Sequence, residues 1–251
     1  MIRFFTEQKD VSAKSIRLND EDIKHIRSLR LRPDEQIIVC DGAGCDYVCK
    51  LSERNDGTSV EIVDSYKSSG EPTVQCRVYM AYSKGDRLDF AVQKSVELGV
   101  HEIILFESER CVAVPNNIPK KVARLQRIAL ETAKQSGRGI IPAVSSGGNF
   151  NEITDDALHG SALTILFYEC EDDLHIRDVL DNYFPYESKQ ANNRTRSISL
   201  ITGPEGGFEQ HEAETARSKG IKTVSLGSRI LRSETAPMAA LTAIMYQTGN
   251  L

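Results

Sequence analysis

The stretch Ser199-Leu200-Ile201-Thr202-Gly203-Pro204-Glu205-Gly206-Gly207-Phe208 is a short apolar run that ends in glycines, and a second such turn follows in Val224-Ser225-Leu226-Gly227-Ser228-Arg229-Ile230-Leu231-Arg232-Ser233-Glu234-Thr235-Ala236. In an open α/β sheet, successive strand-to-helix turns emerge on one edge, so neighbouring glycine turns bring backbone N–H groups and helix N-termini to a common ligand. The chain around them keeps to that grammar. Strands are expected at Val74–Tyr82, Ile103–Phe106, Ala162–Tyr168, 197–202 and 221–226, alternating with helices at Asp86–Leu98, Pro119–Ser136, 150–158, 208–219 and 233–247. Such alternation builds a mostly parallel sheet with helices on its faces. The polar excursion Glu187-Ser188-Lys189-Gln190-Ala191-Asn192-Asn193-Arg194-Thr195-Arg196 is expected to be a mobile surface loop.

Before residue 72 the pattern differs. After an irregular or extended lead, Ser15–Leu18 reads as a strand, and Asn19 or Asp20 caps a helix to about Arg30. Short strands at Gln36–Cys40, Asp46–Leu51 and Thr58–Val63 are separated by Asp41-Gly42-Ala43-Gly44 and Asn55-Asp56-Gly57. Closely spaced strands with glycine turns indicate a small β barrel or sandwich. The polar Lys67-Ser68-Ser69-Gly70-Glu71-Pro72 reads as a linker, which divides the chain into domains 1–71 and 72–251.

Composition narrows the function. The 251 residues are 40% hydrophobic and 27% charged, ordinary for a globular protein. No run approaches the roughly 18 apolar residues of a membrane span, and Met1-Ile2-Arg3-Phe4-Phe5 opens nothing resembling a signal peptide, so a cytoplasmic protein without membrane attachment is expected. The six cysteines are then reduced thiols. Cys40, Cys45 and Cys49 lack a C-x-x-C pair and a fourth ligand, so no metal is expected. The net charge of −5 hides an asymmetry, since residues 76–145 carry 11 basic and 7 acidic side chains while residues 146–251 carry 9 and 15. A basic region on an acidic protein is enough to attract a polyanion. Its cations gather in Lys120, Lys121, Arg124, Arg127 and Lys134, with a second cluster at Arg27, Arg30 and Arg32.

The glycine turns limit the ligand. Gly203-Pro204-Glu205-Gly206-Gly207 matches neither G-x-x-x-x-G-K-[ST] nor G-x-G-x-x-G, and Glu205 stands where a phosphate would be repelled. The loop suits a ligand without phosphates, even a positively charged one; S-adenosylmethionine fits that description. Ile230 and Leu231 can flank a flat base, while Arg229, Arg232 and Glu234 bring charge to the same rim. On the loop alone, glycine turns before helices are common, and tight-turn geometry is the ordinary explanation of the glycines.

Taken together, Lys94-Ser95-Val96-Glu97-Leu98-Gly99-Val100, Glu109-Arg110, Glu131-Thr132-Ala133-Lys134-Gln135-Ser136-Gly137-Arg138 and the two glycine turns resemble the bacterial 16S rRNA (uracil-N3) methyltransferases of the SPOUT class, the RsmE family. The likeness runs along the whole chain. It implies a PUA-like RNA-binding barrel at 1–71, a trefoil-knotted α/β methyltransferase domain at 72–251, a homodimer, S-adenosylmethionine as cofactor and 16S rRNA or the small ribosomal subunit as partner. By position it implies cofactor contacts at Phe167, Tyr168, Glu169, Thr202, Gly203, Pro204, Glu205, Gly206, Gly207, Ser225, Leu226, Gly227, Ile230 and Leu231. Arg110 or Arg138 would stabilise charge on the uracil, and its proton would go to Glu234, to a water or to a phosphate. Arg3, Arg27, Arg30, Arg32, Lys121, Arg124, Gln135 and Arg232 would face RNA. Two other functions stay open beside it, a nucleotide-dependent oxidoreductase and a non-catalytic RNA-binding protein.

Overall fold

A computed structural model describes residues 1–7, 10–12, 14–32, 35–51, 59–184 and 196–251. The chain forms two compact units, Met1–Glu71 with Leu130–Ile141 and Pro72–Ala129 with Pro142–Leu251.

In the first unit, β1 (Arg3–Phe5), β2 (Ser15–Arg17), β3 (Gln36–Cys40), β4 (Cys45–Leu51) and β5 (Ser59–Lys67) make one sheet in the order β1-β3-β4-β5-β2. Helix α1 (Asp20–Leu29) starts where Asn19 Oδ1 accepts the Asp22 N–H at 2.8 Å. Its Ile23 and Ile26 pack with Phe4, Ile16, Ile37, Val39, Cys49 and Val60 in a closed apolar cluster. Strand β1 makes the extended part of the expected irregular or extended lead into a strand: three residues carry almost no local signal, and it forms by pairing parallel to β3. The expected linker is also shorter, because β5 pairs with β4 as far as Lys67. The expected Asn55-Asp56-Gly57 turn lies outside the described residues.

The segment 130–141 belongs with this unit for a physical reason. Glu71 accepts from Arg138 Nε (2.9 Å) and Nη2 (2.8 Å) and from the N–H groups of Gly139 (2.7 Å) and Ile140 (3.2 Å). The backbones meet so closely that a Cβ at Gly70 would lie 2.5 Å from the Gly137 carbonyl oxygen, which only glycine permits.

The second unit holds β6 (Val74–Ala81), α2 (Arg87–Glu97), β7 (Glu102–Glu107), α3 (Ile118–Ser136, whose last turns count with the first unit), β8 (Ala143–Asn149), α4 (Phe150–Gly160), β9 (Leu163–Phe167), α5 (Ile176–Tyr183), β10 (Arg196–Thr202), α6 (Gln210–Ser218), β11 (Lys222–Val224) and α7 (Thr235–Gln247). The strands form a six-stranded, wholly parallel sheet in the order β11-β9-β10-β6-β7-β8. Ile103, Leu105 and Phe106 on β7 and Ile198, Leu200 and Ile201 on β10 are each buried, as a sheet covered on both faces requires. Phe106, Phe150 and Phe208 cluster beneath the C-terminal edge.

Two elements go beyond the expected set. Strand β8 reads Ala-Val-Ser-Ser-Gly-Gly-Asn, with only Val144 buried, and exists because β7 offers it an edge. Helix α5 is eight residues long and buries only Val179 and Leu180. Of the expected mobile loop, residues 187–195 lie outside the described residues, and Arg196 already belongs to β10. The order of the strands reverses after β8, so β10 enters between β6 and β9 and β11 lands beyond β9. In parallel sheets ligands bind at the C-terminal ends of strands beside such reversals.

Candidate cofactor pocket

At that edge lies a cavity of about 740 Å3, within the usual range for small-molecule sites. Every residue expected at the cofactor lines it: Phe167, Tyr168 and Glu169 at the end of β9, Thr202 to Gly207 at the end of β10, and Ser225 to Gly227 with Ile230 and Leu231 after β11. Thr202 is tied to the centre of the sheet, its hydroxyl donating to the Tyr79 carbonyl at 3.1 Å. The Tyr168 N–H donates to the Val224 carbonyl at 3.1 Å and extends the β9–β11 ladder into the pocket wall.

The first glycine turn closes by Gly207 N–H donating to the Pro204 carbonyl at 3.0 Å. Gly207 has φ 70°, and a Cβ there would lie 1.6 Å from Glu169 Oε1. The backbone conformation therefore favours glycine, and any side chain there would push the Glu169 carboxylate aside. In the second turn Gly227 N–H donates to Ser225 Oγ at 3.2 Å. Ile230 is 86% exposed, and the N–H groups of Thr235 and Ala236 donate to the Arg232 carbonyl as α7 begins.

The charge of the first turn differs from the expectation. Glu205 is not an open carboxylate: its Oε1 accepts the Lys84 N–H at 2.8 Å and Arg87 Nη1 at 2.5 Å. Burial pushes the Glu205 carboxyl up, but the Lys84 and Glu205 N–H groups and Arg87 outweigh it and hold it below the usual range. Arg87 Nε also stands 3.8 Å from Glu234 Oε2, so one guanidinium serves acidic groups on both walls. The sequence did not single out Arg87, because nothing local marks a helix-start arginine as facing a loop 118 residues away.

Glu171, Asp172 and His175 also line the cavity and were not anticipated. The Ser225 N–H donates to the Leu174 carbonyl and the Ile176 N–H to the Ser225 carbonyl, which draws this unrecognised segment to the end of β11. Glu171 is buried. Burial would raise its carboxyl, but the Thr223 hydroxyl (2.6 Å) and Arg217 Nη2 (2.8 Å) hold it below the usual range.

Arg110 sits behind the first turn. Its Nε and Nη2 donate to the two Glu209 carboxylate oxygens at 2.5 and 2.9 Å, and its Nη1 donates to the Gly206 carbonyl at 2.9 Å. Glu234 and Arg232 line the cavity itself. Arg138 requires a correction. It is 2% exposed and paired with Glu71 inside the first unit, so it has a structural task there and no open face for a substrate. Arg3 is corrected likewise. Its guanidinium meets both Asp46 carboxylate oxygens at 2.6 Å, and burial, which alone would raise the Asp46 carboxyl, is outweighed by Arg3 and the Ser68 hydroxyl. Lys121 and Arg124 are ion-paired to Asp89, and Arg124 is exposed, as are Arg27, Arg30, Arg32 and Gln135. Among the described residues no helix is long and apolar enough to cross a membrane.

These residues fit an adenosine carrying an amino-acid tail. Leu226, Ile230 and Leu231 offer apolar walls, the strand-end backbone offers hydrogen bonds, and Glu169, Asp172 and Glu234 offer carboxylates to a cationic ligand. Residues 70–245 match the family described as RNA methyltransferase domain, and residues 18–64 match the RNA methyltransferase PUA domain. The chain is similar to the ribosomal RNA small subunit methyltransferase E of Bacillus subtilis, at 30% identity over 260 residues, covering 100% of this chain and 98% of the relative. It is similar in structure to the Neisseria gonorrhoeae ribosomal RNA small subunit methyltransferase E bound to S-adenosyl methionine, with TM-score 0.81, 31% identity and coverage of 98% and 97%. A Legionella pneumophila methyltransferase in complex with the same cofactor gives TM-score 0.81 at 26% identity, covering 98% of this chain and 97% of that one.

Proposed function

The chain belongs to the ribosomal RNA small subunit methyltransferase E family, and from that premise we propose that it transfers a methyl group from S-adenosylmethionine to N3 of a uridine in 16S rRNA, in the cytoplasm and as a homodimer. The observation that carries the proposal is the convergence of all three strand-end segments on one cavity. Exposed Ile230 beside the pocket and exposed Tyr246 on α7 suit a two-fold interface, and the reversed strand order suits a trefoil knot.

The cofactor, when bound, supplies an electrophilic methyl on a sulfonium. It would be held by Phe167 to Glu169, Thr202 to Gly207 and Ser225 to Leu231. Uracil N3 carries a proton at neutral pH, so the protein must remove it and balance the charge left on the two ring carbonyl oxygens. Glu234 is the candidate base. Its carboxylate is 3.3 Å from Ser233 Oγ and close to Arg87, which keeps it oriented. Arg110 is the candidate for the carbonyl oxygens. A base buried in folded RNA must unstack to enter, so the target uridine is splayed or single-stranded. Arg27, Arg30, Arg32, Gln135 and Arg232 would contact the RNA backbone.

Calorimetry with S-adenosylmethionine and with NAD tests the pocket, and incubation with methyl-labelled cofactor and small ribosomal subunits tests the reaction. Affinity for the first ligand alone, with label in RNA and loss of transfer in Arg110→Ala, is expected. NAD binding would mark an oxidoreductase, and RNA binding without cofactor affinity a non-catalytic protein.

A further inference from the structure

The first turn of α6 makes more contacts with the Arg110 loop than a helix cap needs. Glu212, 4% exposed, accepts the Ser108 hydroxyl on Oε2 (3.2 Å) and the Glu109 N–H on Oε1 (3.2 Å), while also accepting the Glu209 N–H at 2.9 Å. One buried carboxylate thus fixes the backbone on which Arg110 stands. Three residues earlier, Glu209 grips the guanidinium itself through both oxygens, the fork geometry that best orients an arginine. With the Gly206 carbonyl added, three of the five N–H donors are engaged, and among the described residues two remain to meet a substrate.

We propose that Glu209 is a positioning residue for the methyl transfer, holding Arg110 in the attitude in which it meets the target base, with Glu212 fixing the loop beneath. This rests on the role given to Arg110 above. A long arginine that must be ordered anew at each turnover loses rotamer freedom that the ion pair removes in advance. The pair also keeps the guanidinium beside the turn that carries Gly206, coupling the substrate side to the cofactor wall.

Glu209 is the N-cap of α6, so Glu209→Ser keeps a capping side chain while removing the fork. Turnover on small subunits, cofactor affinity by calorimetry and thermal melting are measured for Glu209→Ser, Arg110→Ala and the double variant. Expected are a kcat lower by roughly three- to tenfold for Glu209→Ser, the cost of ordering one long side chain, with cofactor affinity and melting near wild type. The double variant is expected to be no worse than Arg110→Ala. Wild-type turnover in Glu209→Ser with an inactive Arg110→Ala overturns the inference and leaves the proposed function standing. A loss confined to cofactor affinity also overturns it, reducing the pair to a brace of the glycine turn. Wild-type turnover in Arg110→Ala overturns the role of Arg110, and the inference with it.

Discussion

Replacing Gly207 by alanine tests the pocket wall with two separable effects. The residue has φ 70°, and a side chain in that left-handed region costs about 1–2 kcal/mol. For a domain of this size each kcal/mol lowers the melting temperature by about 2–4 °C, so a fall of about 2–8 °C is expected. The second effect is local. The new Cβ would lie 1.6 Å from Glu169 Oε1, so the carboxylate must swing away. Its stem is flexible and the movement costs little stability, but it displaces a group that lines the cavity. Cofactor affinity should fall by about tenfold, equivalent to about 1.4 kcal/mol. Gly220→Ala is the control, because Gly220 has φ 89° with open space around its missing Cβ. It should melt lower by a similar amount and bind the cofactor like wild type. Adding Glu169→Ala to Gly207→Ala should leave the melting temperature low and weaken cofactor affinity little further, because the carboxylate is already displaced in Gly207→Ala. Differential scanning fluorimetry and calorimetry read the two quantities independently. If Gly207→Ala melts and binds as wild type does, or if Gly220→Ala weakens binding equally, the assignment of Gly207 to the cofactor wall is wrong.

Other expectations follow from the charge pairs. Asp46→Asn leaves Arg3 without its partner in a nearly closed site and should cost about 3 kcal/mol, seen as a lower melting temperature. In the wild type the Asp46 carboxyl lies below its ordinary value, so its contribution is fully present above the unfolded value near 3.9 and is lost as pH falls through the lower folded value. Melting followed from pH 6 to pH 2 should show that acid loss, and Asp46→Asn should flatten it. Arg87→Met leaves Glu205 and Glu234 without their shared cation; the pair is partly exposed, so the effect is modest, about 1 kcal/mol or a fivefold weaker cofactor affinity. Calorimetry at low and high salt checks it, and an affinity unchanged at both would remove Arg87 from the site.

The two glycine turns were legible because their signals are local: an apolar run, a glycine, then a helix start. The same holds for α1, whose Asn19 cap and Ile23–Ile26 spacing lie within one turn. Strands β1 and β8 were not, since Arg3-Phe4-Phe5 and Val144-Ser145-Ser146-Gly147-Gly148 become strands only against β3 and β7. Within the site, residues on the turns were readable, whereas Arg87, Glu171 and His175 arrive from elsewhere in the chain. Arg138 shows the converse error. An arginine between two glycines reads as a free charge at a loop, and its burial depends on Glu71, 67 residues away.

The central claim is that this cavity directs a methyl group to uracil N3 in small-subunit rRNA. Unmodified small subunits should be incubated with the protein and isotopically labelled S-adenosylmethionine, the rRNA digested to nucleosides, and the labelled nucleoside identified by chromatography and mass spectrometry. N3-methyluridine carrying the label, approaching one per subunit, is the expected result. Label on uracil C5, on another base or on ribosomal protein, or no label in RNA from a protein that binds the cofactor, would contradict it.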